Sequence, residues 1–177
     1  MRAIFLDRDG TINVGTPTFE RVDSFDKVQL LPNTIKALEL LSKLDYQVFL
    51  VTNQLGLFEG RITKEQFHEI NSRILELIAP SGIKITKTYF CPHGEKGDCI
   101  CYKPKPGMLL QAAAEYGIDL KQSWMIGDRP SDVMTGVNAG TKTILVKTGV
   151  TSVESSEATY TATNLLDAVK YIDNYGE

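Results

Sequence analysis

The sequence predicts an α/β fold in which helices cover both faces of a mostly parallel β-sheet. Short apolar runs, typical of strands buried on both faces, alternate with stretches whose apolar residues recur at helical spacing. Polar and mostly acidic residues directly follow several of these runs. Because ligands bind at the carboxyl ends of the strands in such sheets, we expect these polar residues to meet in one functional site.

Each element has its own sequence signal. The continuous apolar runs that we predict to be strands are 3–6, 47–51, 86–90, 124–126 and 143–146. Asn33 is the expected N-cap of the first helix, and Thr63 with Gln66 fits the capping box of the second. The later helices are predicted at 107–116, 130–138 and 164–175.

Length, composition and charge narrow the class of protein. The 177 residues, 42% hydrophobic and 23% charged, predict one compact domain spanning 1–177. A net charge of −3 without a basic cluster argues against a nucleic-acid partner. No apolar stretch is long enough to cross a membrane, and acidic residues come too early for a signal peptide. We therefore expect a monomeric cytoplasmic protein with a small-molecule ligand.

Acidic residues follow two of the predicted strands. Asp7 and Asp9 are two positions apart on an extended segment, so both carboxylates point to the same side, and Asp128 follows another strand. A single aspartate in such a place is commonly a turn or capping residue. The combination of the three instead favours a hard cation bound by oxygen ligands, and Mg²⁺ is the expected ion.

The three cysteines of the chain lie close together with a histidine. Cys91, His93, Cys99 and Cys101 form a Cys-x-His…Cys-x-Cys pattern whose four side chains fill a tetrahedral zinc site. With no open position the metal is structural, and it would order a loop that has little to bury. A redox pair at Cys99 and Cys101, or three unrelated thiols, are the alternatives. His68 lacks such neighbours and is predicted to be a surface residue.

Four segments, taken together, resemble a known family. They are Asp7-Arg8-Asp9-Gly10-Thr11-Ile12-Asn13, Thr52-Asn53-Gln54, Lys103-Pro104 and Gly127-Asp128-Arg129-Pro130-Ser131-Asp132. In this order they resemble the haloacid-dehalogenase (HAD) superfamily phosphatases, in the branch of the histidinol-phosphate and heptose-bisphosphate phosphatases. The resemblance covers residues 2–149. It implies a three-layer Rossmann-like fold in which a zinc-bound loop takes the place of a large cap domain.

The resemblance also implies roles for the acidic residues. Asp7 would be the nucleophile that forms an aspartyl-phosphate, and Asp9 the general acid and then base. Magnesium would be held by Asp7, Asp128 and the backbone carbonyl of Asp9. Asp132 would support the site by orienting Lys103 or the metal-bound waters.

Phosphate binding is implied for three further residues. Lys103 would offset the repulsion between the nucleophile and the phosphate, and Thr52 and Asn53 would donate hydrogen bonds to the phosphate oxygens. The loops 14–30, 55–62 and 91–106 would control access to the site.

The substrate is less sharply indicated than the reaction. Tyr102 stands where both branches usually carry arginine, and Glu59 where the heptose type tends to be basic. The first interpretation is a D-glycero-D-manno-heptose 1,7-bisphosphate 7-phosphatase of carbohydrate metabolism, and the alternative is a histidinol-phosphate phosphatase. Two interpretations from other classes are a non-catalytic scaffold that kept the fold and a zinc-dependent interaction module.

Overall fold

A six-stranded parallel sheet organises the protein. The computed structural model describes residues 1–14, 25–149 and 154–175, and its strands lie in the order β3-β2-β1-β4-β5-β6. The strands are β1 Ala3–Leu6, β2 Gln47–Asn53, β3 Ile85–Cys91, β4 Trp124–Gly127, β5 Lys142–Val146 and β6 Tyr160–Ala162. The helices are α1 Thr34–Leu41, α2 Leu55–Phe58, α3 Lys64–Ile78, α4 Gly107–Tyr116, α5 Pro130–Ala139 and α6 Leu165–Tyr175. Every pairing in this sheet is parallel, as the sequence predicted.

Two short elements were missed by the sequence analysis. The edge strand β6 has three residues, of which Ala162 is buried, and the helix α2 has four. Neither element is long enough for its apolar residues to show the spacing of a strand or a helix. The strand β6 forms by pairing with β5. The five predicted strands are confirmed, with ends that differ by up to two residues.

Asn33 occupies the N-cap position of α1, as predicted, and its carbonyl accepts from Ala37 N at 2.9 Å. Asn33 precedes α1, but its φ is 66° and its side chain makes no capping hydrogen bond. Asparagine tolerates this left-handed conformation, so the residue begins the helix through its backbone carbonyl and not through its side chain. The capping box of α3 is confirmed: Gln66 N donates to Thr63 Oγ1 at 3.2 Å, and Thr63 N donates to Gln66 Oε1 at 2.8 Å.

Successive residues of the strands enter separate cores on the two faces of the sheet. In β1, Ile4 and Leu6 pack in the cluster that contains residues of α1, α3 and α6. Ala3 and Phe5 pack in a second cluster with residues of α4. Burial on both faces explains why the strand sequences are continuously apolar. It also gives the three layers expected from the resemblance.

The strand order places the polar strand ends side by side. Because β1 lies between β2 and β4, the residues that follow these strands meet at one edge, and β3 beside β2 delivers Cys91 to the same edge. Of the predicted access loop 14–30, residues 15–24 lie outside the described residues. The prediction of a single domain spanning 1–177 remains a prediction.

Candidate active site

Three buried carboxylates form the centre of the site. Asp7 directly follows β1, Asp128 directly follows β4, and Asp132 lies in the first turn of α5. An oxygen of each lies within 4.8 Å of the others, and none of the three residues is more than 5% exposed. Asp7 N donates to Ile126 O at 2.9 Å and so extends the pairing of β1 with β4. The parallel sheet therefore fixes the nucleophile candidate next to Asp128.

Lys103 is the cation that faces this acidic group. Its Nζ lies 2.5 Å from Asp7 Oδ1 and 2.6 Å from Asp132 Oδ1, and it donates to Val51 O at 3.3 Å. Burial alone would lower the pKa of this ammonium, but the carboxylates of Asp132 and Asp7 raise the pKa above its usual range. Lys103 is therefore charged, and it lies where the sequence analysis expected a phosphate-binding lysine.

The acidic group carries more negative charge than Lys103 balances. Burial raises the pKa of Asp7 well above its usual value, and the charges of Asp132 and Asp128 add to that effect against the opposing effect of Lys103. Burial and the charge of Asp132 raise the pKa of Asp128 to about 6. Three carboxylates share one buried ammonium, so a divalent cation would relieve the repulsion among them.

The donor atoms of the group fit Mg²⁺. Asp128 Oδ1 is buried and has no hydrogen-bond partner among the described residues, so it is available to a cation. Both oxygens of Asp132 are engaged, Oδ1 with Lys103 and Oδ2 with the backbone N–H of Arg129 at 3.0 Å. Gly10 has a φ of 95°, and a Cβ there would collide with the Asp128 carboxylate. The backbone of the turn after Asp9 thus lies so close to Asp128 that there is no room for a side chain at position 10.

Asp9 points elsewhere, although it lies two residues from Asp7. Its side chain is not a member of the acidic group. It accepts hydrogen bonds from Arg8 Nη2 at 2.8 Å, Asn13 Nδ2 at 2.8 Å and Gln54 Nε2 at 3.3 Å. Burial opposes ionisation, but the charge of Arg8 and these hydrogen bonds lower the pKa of Asp9 below its usual value. Asp9 is therefore anionic in this state, the form in which a carboxylate acts as a base.

The residues at the carboxyl end of β2 make hydrogen bonds different from those expected. Asn53 was expected to donate to phosphate, but its Nδ2 donates to Lys103 O at 3.3 Å and its Oδ1 accepts from Lys103 N at 3.0 Å. Thr52 Oγ1 accepts from Gln54 Nε2 at 2.8 Å. Asn53 thus holds the backbone of the lysine, and Gln54 links Thr52 to Asp9. The sequence analysis gave Gln54 no role, although it stands in a segment already singled out.

The four predicted metal ligands of the 91–101 loop lie together. One ligand atom of each of Cys91, His93, Cys99 and Cys101 lies within 4.8 Å of the others. Cys91 Sγ lies 3.6 Å from His93 Nδ1 and 3.7 Å from Cys99 Sγ, close to the separations of about 3.6 and 3.8 Å around tetrahedral zinc. Cys91 and Cys101 are closer, at 2.9 Å. Burial raises the pKa of the Cys91 thiol, so a bound metal would displace its proton.

The loop of residues 91–101, the Cys/His loop, is hydrogen-bonded to the segment that follows Lys103. Lys105 Nζ donates to Cys99 O at 2.8 Å and to Gly97 O at 3.0 Å, and Gly107 N donates to Ile100 O at 2.9 Å. These bonds close the loop over the segment that begins α4 and contains Lys103. His68 is exposed, as predicted, and lies against the rings of Phe67 and Phe90.

Comparison with known proteins identifies the family. A model described as HAD-hydrolase-like matches residues 100–171. A D-glycero-β-D-manno-heptose-1,7-bisphosphate 7-phosphatase of Pasteurella multocida is 39% identical over 180 residues, which cover 97% of this chain and 96% of that protein. The chain belongs to the HAD-like phosphatases. A phosphatase of Helicobacter pylori with the same name is 37% identical over 82% of this chain and 83% of that protein.

A solved structure of a related HAD phosphatase has the same fold. The D,D-heptose 1,7-bisphosphate phosphatase of B. bronchiseptica, complexed with magnesium and phosphate, matches with a TM-score of 0.88. It is 30% identical, and the match covers 98% of this chain and 99% of that one. The predicted resemblance, the fold class and the enzyme class are thereby confirmed. The interpretations as a non-catalytic scaffold and as a zinc-dependent interaction module are not supported by these findings.

Proposed function

We propose that this HAD phosphatase removes the C7 phosphate of D-glycero-β-D-manno-heptose 1,7-bisphosphate. The observation that carries the chemistry is the buried group of Asp7, Asp128 and Asp132 around Lys103 at the carboxyl edge of the sheet. The names of relatives 35–40% identical over most of the chain support the substrate. The comparisons give no support to histidinol phosphate, the alternative substrate.

The residues divide the reaction into two steps. In the first, Asp9 takes up a proton from solvent as the anionic substrate binds beside it. An oxygen of Asp7 then bonds to phosphorus while the bond from phosphorus to the C7 oxygen breaks, and Asp9 gives that oxygen its proton. In the second, water attacks the phosphorus, Asp9 takes a proton from it, and the bond to Asp7 breaks to release inorganic phosphate. The ammonium of Lys103 binds the phosphoryl oxygens in both steps.

Two metals belong to this proposal. Asp7 and Asp128, with the Asp9 backbone carbonyl, would hold Mg²⁺, which neutralises the charge between the carboxylate nucleophile and the phosphate. Asp132 instead holds Lys103, since both of its oxygens are engaged. Zn²⁺ on Cys91, His93, Cys99 and Cys101 would be structural, because all four positions are filled by protein.

The structure adds one finding on membrane association. Among the described residues, no helix is long and apolar enough to cross a membrane. The monomeric state, the cytoplasmic location and the absence of a nucleic-acid partner stay predictions.

The test is phosphate release by the wild type and by Asp7→Asn. Both are given the α and β anomers of heptose 1,7-bisphosphate, histidinol phosphate and common sugar phosphates, with magnesium. We expect the wild type to prefer the β anomer and Asp7→Asn to release nothing, because an amide cannot attack phosphorus. Asp45→Asn, the same change at a fully exposed residue, is the matched control and keeps activity. Activity in Asp7→Asn would exclude the nucleophile, and preference for another compound would exclude the substrate.

A further inference from the structure

Arg8, between the two catalytic aspartates, has an unusual environment for an arginine. It is 1% exposed, and its Nε and Nη2 donate to the same Asp9 oxygen at 3.2 and 2.8 Å. Its Nη1 is buried and has no hydrogen-bond partner among the described residues. The guanidinium lies 5.6 Å from the centre of the Phe67 ring. The mechanism derived above assigns this side chain no task.

A role in stability alone explains Arg8 poorly. Burying a charged guanidinium is costly, and an apolar side chain of similar volume is often neutral or better for stability. The turn itself uses the Arg8 backbone, because its carbonyl accepts from the N–H groups of Ile12 and Asn13 at 2.9 and 3.2 Å. Any residue supplies that carbonyl. What the arginine side chain adds is its contact with Asp9.

Asp7, as the nucleophile, must face the phosphate and the cation, whereas Asp9, as the acid and base, must be kept away from the cation. Asp7 faces Lys103 and Asp128, where a cation is expected, whereas the Asp9 carboxylate is held towards Asn13 and Gln54. Arg8 supplies two of the N–H groups on Asp9 and the only full positive charge that contacts it among the described residues. Without Arg8, only the hydrogen bonds from Asn13 and Gln54, among the described residues, hold the carboxylate of Asp9 away from the cation site.

We propose that Arg8 is the positioning residue of the acid–base aspartate. Its fork holds the Asp9 carboxylate away from the group of Asp7, Asp128 and Asp132 and reserves it for proton transfer to the departing sugar oxygen. This inference rests on the proposed function, since it needs phosphoryl transfer to Asp7. It assigns Arg8 no contact with the substrate, because the side chain is buried.

The proposal predicts a dependence on the leaving group. A sugar alkoxide is a poor leaving group and needs a proton from Asp9 as its bond to phosphorus breaks. The nitrophenolate of p-nitrophenyl phosphate leaves without protonation, so its departure does not need a positioned acid. Loss of Arg8 therefore slows transfer from the sugar phosphate selectively. A merely structural loss lowers the folded fraction and slows both substrates by the same factor.

In the experiment, the rate at which each substrate disappears is measured with enzyme in excess. Under this condition only the first step, transfer of the phosphoryl group to Asp7, is observed. Wild type, Arg8→Met, Arg8→Lys and Asp9→Asn are compared on heptose 1,7-bisphosphate and on p-nitrophenyl phosphate with magnesium. We expect Arg8→Met to be slower by at least about 100-fold on the sugar and by less than about threefold on the aryl ester, since general acids contribute about 10²–10⁴. Asp9→Asn should show the same pattern. Arg73→Met, at a partly exposed residue of α3, is the matched control and changes neither rate.

Each outcome decides the proposal. Equal slowing of both substrates in Arg8→Met, or no slowing of either, overturns it. If Arg8→Met does not fold, Arg8→Lys decides, because an ammonium cannot place two N–H groups on one oxygen in the same way. A smaller loss of rate, confined to the sugar phosphate, then supports the proposal. Wild-type rates on both substrates overturn it. If the wild type does not hydrolyse heptose 1,7-bisphosphate, the proposed substrate is refuted. The variants are then compared on the sugar phosphate that the wild type hydrolyses fastest. If it hydrolyses none, both proposals fail.

Discussion

At the residue scale, Lys103 has the largest effect on the electrostatics of the site. It is 5% exposed and forms ion pairs with both Asp7 and Asp132. Removing one partner of a buried ion pair leaves uncompensated charge, which is costlier than replacing the whole pair. Lys103 is therefore expected to contribute to stability in addition to its proposed role in phosphate binding.

Lys103→Met should show both effects. We expect the metal-free variant to lose about 3–5 kcal/mol of unfolding free energy, because three buried carboxylates lose their ammonium. Its phosphatase activity should fall by at least about 100-fold. Urea unfolding at pH 7 without metal measures the loss of stability. Phosphate release in the presence of magnesium measures the loss of activity. Lys43→Met, at an exposed residue, is the control. A variant as stable and active as the wild type would refute the central position of this lysine.

At the element scale, Glu115 ties the helix α4 to the strand β3. Glu115 Oε2 accepts from Lys87 Nζ at 2.7 Å and from Tyr89 Oη at 2.6 Å, and Oε1 accepts from Gln111 Nε2 at 2.8 Å. These hydrogen bonds, that of Lys87 first, lower the pKa of Glu115 from its usual 4.5 to about 2. Because the group is exposed to solvent, its contribution to stability is small and weakens with added salt.

Glu115→Gln should therefore destabilise the protein in a pH-dependent way. A carboxyl group whose pKa is lower in the folded state stabilises the fold above its unfolded pKa of 4.5, and the effect is lost as pH falls through about 2. We expect a slightly lower free energy of unfolding for the variant at pH 5–7 and a shrinking difference between pH 4 and 2. Urea unfolding across this range measures it, with Glu39→Gln on the exposed surface of α1 as control. A difference that does not vary with pH would contradict the role of the ionised carboxylate.

At the scale of the whole molecule, the site is assembled from distant parts of the chain. Asp7, Asn53, Lys103 and Asp128 come together because parallel strands end at one edge of the sheet. The Cys/His loop leads into Lys103 at that edge. Asn53 accepts a hydrogen bond from the backbone of Lys103, and Lys105 donates one to Cys99 O of the loop. The proposed zinc ion would therefore act on catalysis through the position of the loop.

Removal of zinc should disable the enzyme without unfolding the sheet. We expect a strong chelator to release one equivalent of zinc, to lower the melting temperature and to reduce phosphatase activity by at least about tenfold, as for loss of supporting interactions at metal sites. The far-UV circular dichroism should change little, because one core contains no residue of the loop and the other receives only Cys91, Cys99 and Cys101 from it. Cys99→Ser should lower zinc content and stability together. A full equivalent of zinc in that variant would contradict the set of four ligands.

The sequence by itself determined the fold class and the enzyme class, and it predicted most of the residues that meet at the carboxyl edge of the sheet. Apolar runs of three to five residues indicated the five longer strands, and the polar residues after them indicated the catalytic edge. Local signals sufficed there because burial on both faces of a parallel sheet leaves a continuous apolar pattern. The capping box at Thr63 likewise depends on residues within one turn.

Only the tertiary structure decided which polar groups face one another. It showed that Asp132 completes the acidic group, that Asn53 binds the backbone of Lys103, and that the side chain of Arg8 is buried on Asp9. A polar residue has several hydrogen-bonding choices, and its partner is set by whichever distant segment the packing brings near. Strand order and helix packing determine which segment that is, and the spacing of neighbouring residues in the sequence does not predict either of them.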